Sequence, residues 1–129
     1  MWRLAIALLA VPIMSGQATA VDDLPPSASI IECAVFWHVV ADGAARQGLL
    51  LGERPAATSK MMIDAGFAFA KARGEAAEAL NANIHLMLQR MSGAAFDQDK
   101  LILLTLQYKP QCDRIEDSLL QLLREYQSK

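Results

Sequence analysis

Two cysteines and two histidines are the only thiols and imidazoles among 129 residues. Neither Cys33 nor Cys112 has another Cys or His three or four positions away, so the ligand spacing of a structural zinc site is missing. The chain contains no GxGxxG, no Walker-type loop, no HExxH and no CxxCH. No serine stands in a GxSxG turn. These absences point away from an enzyme, and no cofactor is expected.

Positive charge is also short. Arg46, Arg54, Lys60 and Lys71 are scattered among acids, and the formal net charge is -2. That supplies no basic field for phosphate contacts, so nucleic acid is excluded as a partner. Long apolar runs are lacking too. The first 20 residues hold an uncharged stretch, Leu4 to Met14, which is short of the ~20 residues a spanning helix needs. The best later candidate is interrupted by Glu32, His38 and Asp42, so no stable membrane span is expected after the N-terminal segment.

That segment has the layout of a secretory signal. Arg3 gives the positive end, Leu4 to Met14 the apolar centre, and Ala18-Thr19-Ala20 a small-x-small cleavage site, with cleavage expected after Ala20. The product would be periplasmic or secreted. Its remaining residues fit one domain, with residues 21–28 as an acidic, proline-containing leader and 29–129 as a single helical unit. In an oxidising compartment the two cysteines are expected to pair, tying the first helix to the last.

The apolar positions recur with helical spacing through most of the chain. A first helix from Ser29, with Glu32 completing a capping box, runs towards Gly48 and is apolar on nearly all sides. Such a helix belongs at the centre of the molecule. A second spans 55–73, where Gly66 and several alanines suggest close packing on a neighbour and Lys60 can pair with Asp64. A third spans 75–91, with Glu75 and Glu78 in its first turn and Ser92-Gly93 at its end.

Asp97 can cap a fourth helix, 98–109, which Pro110 should end. Leu104, Leu106 and Tyr108 alternate like a strand, but leucine rather than β-branched residues dominates, so helix is preferred. A fifth begins with Asp113 as cap and Glu116 at N3, and its stripe is Ile115, Leu119, Leu122, Leu123 and Tyr126. The expected fold is all-α: a small bundle of four to five helices stapled by Cys33–Cys112.

Three features carry candidate function. His38 lies one turn before Asp42, where an imidazole–carboxylate pair could form, but no nucleophile accompanies it. His85 with Met61, Met62, Met87 and Met91 raises soft-metal binding, yet methionine at helical spacing is ordinarily core filler. Leu49, Leu50 and Leu51 between two glycines make an odd loop, either a plug for the core or an apolar finger for a partner. The expected function is a non-catalytic protein-binding module of the cell envelope, of inhibitor, immunity or accessory type. Its partner would be another envelope or secreted protein. The alternatives are a stress or chaperone-like protein, or a small-ligand carrier.

Overall fold

A computed structural model describes residues 25–48 and 53–127. Among these residues the chain is helical throughout, with no strand. Four α-helices follow in order: α1 (Ser27–Arg46), α2 (Glu53–Ala72), α3 (Ala77–Met91) and α4 (Gln98–Gln127), with a 3-10 turn at Ser92–Phe96 before α4. The N-terminal segment and the Leu49–Leu51 loop lie outside the described residues.

Helix α1 is the axis of the molecule because its sequence gives it no polar side broad enough to face water. Ile30, Ile31, Cys33, Ala34, Val35, Phe36 and Val39 are all buried. Helix α2 runs antiparallel to it. The Ser59 hydroxyl donates to the Ala34 carbonyl at 2.7 Å, and the Arg73 guanidinium donates to the Pro25 carbonyl at 3.1 Å. Between these points Gly66 sits against Ile31, where a Cβ would come within 2.7 Å of the Ile31 Cδ1. The close approach suggested by Gly66 is therefore made. Helix α4 also runs antiparallel to α1: Leu101 lies over Gly43, Tyr108 stacks on Phe36 with ring centroids 5.8 Å apart, and Cys112 meets Cys33. Since α2 and α4 both oppose α1, they are parallel to each other. Helix α3 packs Leu80 with Ile31 and Ala70, closing the other side of α1.

Several helix ends differ from expectation. Helix α1 starts at Ser27, two residues before Ser29, with Pro26 at the N-cap and no side-chain cap. Proline fixes φ near the helical value without needing an N–H partner there. Ser27 is buried and reaches across the fold, donating to Glu75 at 3.2 Å and accepting from Arg73 at 3.2 Å. Glu75 is thereby drawn out of α3, which begins at Ala77. Gly74, at φ 75°, ends α2: the Glu75 N–H reaches the Ala70 carbonyl and the Gly74 N–H reaches Lys71. This is the Schellman arrangement that only glycine enters without strain. Gly48, at φ 72°, is the stop for α1. Helix α2 starts at Glu53, which leaves Pro55 in its first turn.

The largest correction concerns the last two helices, which are one. Helix α4 runs 30 residues straight through Pro110. The missing N–H deprives only the Leu106 carbonyl of its partner. Leu106 and Pro110 are both exposed, so water can satisfy that oxygen. Asp97 does cap this helix, its Oδ1 accepting from the Asp99 and Lys100 amides at 3.0 and 3.3 Å. The second cap expected at Asp113 is not needed. Asp113 instead takes the Lys109 ammonium at 2.7 Å, and Glu116 accepts the Thr58 hydroxyl at 3.2 Å.

Cys33 and Cys112 are fully buried and stand at bonding distance, with Cα atoms 5.4 Å apart and 79 positions between them. They join α1 to α4. A second correction concerns membranes: by length and composition alone, α1 is long and apolar enough to cross one. Half of its apolar window is buried by the other helices. A central helix of a compact domain meets the same criterion for that reason.

Candidate functional site

The α2 and α4 stripes point towards each other but do not meet along their whole length. They touch where Thr58 bonds Glu116. From there towards the C-terminal ends of both helices lies a groove of about 800 Å³. One wall is Met61, Ala65 and Phe69, at helical i, i+4, i+8 spacing. The other is Leu119, Leu122, Leu123 and Tyr126. Lys60 and Asp64 edge the first wall, and Glu125 edges the second.

The exposure along α4 explains why the groove is open. Ile115 and Leu119 are buried against α1, but Leu123 is 47% exposed and Tyr126 80%. The same stripe therefore starts as core and ends as surface. Helix α4 continues past the last residues of α1 that could cover it, since α1 begins at Ser27. Leucine and aromatic side chains on one continuous face, left uncovered at one end by the other described residues, are the usual mark of a contact surface.

Other candidates from the sequence are dispersed. Asp42 pairs with Arg46 at 3.3 Å rather than with His38, and the Arg46 guanidinium lies 3.9 Å over the Phe96 ring. His38 is exposed and is left without the carboxylate that would orient it. His85 is exposed on α3, whereas Met62 and Met91 are buried in the core. No group of three His, Cys, Asp or Glu side chains able to hold a metal occurs among the described residues. The expected Lys60–Asp64 pair is not formed within ion-pair distance; the i, i+4 pairs among the described residues are Asp42–Arg46 and Lys109–Asp113. Leu49, Leu50 and Leu51, the residues expected to meet a partner, lie outside the described residues.

Tyr108 is pushed above its ordinary pKa by burial, then by the nearby Glu32 charge, with Arg90 opposing. Its ring packs on Phe36, so it belongs to the core and not to the groove.

Sequence reasoning missed the groove, although it named both of its walls. Met61, Ala65 and Phe69 follow helical spacing in the second helix, and Leu122, Leu123 and Tyr126 belong to the stripe of the last, the pattern that a core face would also show. The signal was the length of the last stripe, which outruns the helix it packs on. No family model, curated protein or solved structure matches the chain, so its site rests on geometry alone.

Proposed function

We propose that the protein is a small exported helical bundle, stapled by Cys33–Cys112, that acts as a non-catalytic protein-binding module of the cell envelope. Its working surface is the α2–α4 groove. The observation that carries this reading is the apolar stripe of α4 running out of the core at Leu119 and on to the exposed Leu123 and Tyr126. The signal-like first 20 residues and the paired cysteines support an oxidising, exported location. The partner would then be another envelope or secreted protein. Leu49 to Leu51, which precede α2 in the sequence, would be a second point of contact.

Capture from an envelope extract of the source cells tests this. The tagged chain should retain one stoichiometric protein. Leu122→Glu should release it, because a carboxylate would be buried in an apolar contact. Leu50→Asp should weaken it if the loop takes part. Retention by the Leu122→Glu chain would remove the groove from the account.

A second reading has its own observation. Ile102, Leu103 and Leu106 form an outward apolar patch on the first half of α4, with Leu103 66% exposed. A chaperone-like protein would present such a surface, and more of it under acid stress. Apolar-dye fluorescence that rises sharply between pH 7 and pH 3 with the helices intact would favour it; an unchanged signal would end it.

A further inference from the structure

The groove and the first described residues of the chain meet at one end of the molecule. Helix α4 outruns α1 there, because α1 begins at Ser27. Pro25 is held at that end by the Arg73 guanidinium, which donates to its carbonyl at 3.1 Å. Arg73 follows Phe69, the last α2 residue of the groove, by one helical turn, and its N–H still bonds the Phe69 carbonyl at 2.9 Å. The polypeptide that precedes Pro25 therefore sets out about 6 Å beyond the open groove.

Its length is sufficient to return. From Ala57 to Phe69 the α2 wall spans about 18 Å at 1.5 Å per residue, so the far end lies about 24 Å from Arg73. Residues 15–24 form a ten-residue tether that reaches about 33 Å when extended. Beyond it comes Leu4 to Met14, with no charged, hydroxyl or amide side chain. Those eleven residues would measure about 16 Å coiled as a helix and about 36 Å extended, so either form fills most of the groove or spans it.

The chemistry agrees with the reach. The walls present Met61, Ala65 and Phe69 on one side and Leu122, Leu123 and Tyr126 on the other. A segment without polar side chains leaves none of its own unpaired against them. A short tether also holds such a segment at an effective concentration on the order of millimolar, which a separate molecule must outcompete.

We propose that, before cleavage, residues 4–14 fold back into the α2–α4 groove, so that the protein covers this surface until its N-terminal segment is removed. A chain starting at Val21 presents the groove open. The fold-back needs only the groove, the anchor at Pro25 and the tether, so it stands apart from the binding-module reading.

The test is photocrosslinking within the intact 129-residue chain, made by cell-free synthesis so that the N-terminal segment is retained, with Cys33–Cys112 oxidised and no detergent present. A benzophenone side chain replaces Leu8, near the middle of the apolar stretch. Irradiation at low micromolar concentration should give a monomeric adduct whose proteolytic fragments join position 8 to residues 61–69 or 119–126. Leu122→Glu should reduce that adduct at least tenfold with the helical circular dichroism unchanged. Leu103→Glu, on the outward face of α4, should leave it as it was. If Leu122→Glu loses its helical signal, Tyr126→Glu, at a position 80% exposed, takes its place with the same expected loss.

No adduct, an adduct mapping elsewhere, or one indifferent to these groove variants would overturn the proposal. So would precipitation of the intact chain, since a docked segment exposes no apolar run. Adducts joining two chains would make a second copy the occupant and overturn it equally. The chain starting at Val21 separates this proposal from the binding-module reading. If it captures one envelope protein while the intact chain gives no adduct, the fold-back is wrong and the module survives; an adduct without any captured protein leaves the fold-back standing and removes the module.

Discussion

Removing both sulfur atoms, by Cys33→Ala with Cys112→Ala, opens a loop whose ends are 79 positions apart. The chain-entropy relation gives roughly 4–5 kcal/mol for a loop of that size, acting through the unfolded state. For a domain of about 100 ordered residues each kcal/mol moves Tm by roughly 4–5 °C, so the midpoint should fall by about 16–25 °C. The assay is a thermal melt followed by circular dichroism at 222 nm, on the oxidised chain and on the double variant. The two alanines also remove fully buried sulfur contacts, so a third sample is needed. This is the unaltered chain, unfolded and refolded in reductant, and it should melt close to the double variant. A fall of less than 5 °C in both would refute the staple as a main source of stability. Because both cysteines are fully buried, reductant added to the folded protein should act only as fast as the molecule opens.

Gly66→Ala should destabilise by about 1–2 kcal/mol in urea unfolding despite alanine's better helix propensity, since its Cβ would press into the Ile31 side chain at 2.7 Å; a stabilised variant would show that α1 and α2 can separate at no cost. Pro110→Ala should stabilise by about 1 kcal/mol or more, by restoring the N–H that bonds Leu106 on an exposed helix face; a lower urea midpoint would refute the view that the proline only removes one water-satisfied hydrogen bond. Phe36→Ala, which empties a fully buried ring site beside Trp37 and Tyr108, should cost about 3–5 kcal/mol and lower the melt accordingly. For Tyr108 the sign follows from its raised pKa: the neutral phenol is favoured in the fold. That contribution is whole below the unfolded tyrosine value near pH 10 and is lost as pH climbs through the higher folded value. Urea midpoints should therefore drop above about pH 10, and Tyr108→Phe should flatten the drop.

Much of the fold could be read from residue spacing, and each miss has a local cause. The near-continuous apolar surface of residues 30–44 implied a central helix, and Ile30, Ile31, Cys33, Ala34, Val35, Phe36 and Val39 are its buried core. Asp97 announced the start of α4 and serves as its cap. Pro110 misled because the penalty for proline in a helix presumes that the orphaned carbonyl is dry, and the Leu106 carbonyl lies on an exposed stretch. Ser29 and Glu32 misled because a capping box is a local pattern, whereas the first turn of α1 is held by Ser27, Arg73 and Glu75, 46 and 48 positions apart in the chain. The groove was hidden for a further reason. Periodicity shows that a stripe is apolar, but whether two stripes meet depends on relative helix length and tilt, which spacing does not encode. Leu122 and Met61 are both core residues on a helical wheel, and in the fold they are opposite walls of an open channel.

The measurement that bears most directly on the groove is site-specific photocrosslinking in the source cell envelope. A benzophenone side chain would replace Leu122 in the groove, Leu103 on the outward face of α4, or Leu50 in the loop ahead of α2. A groove-binding module should give a single discrete adduct from position 122 and none from 103, with position 50 positive if the loop extends the contact. Adducts from position 103 with none from 122 would contradict it and move the working surface to the outer face of α4.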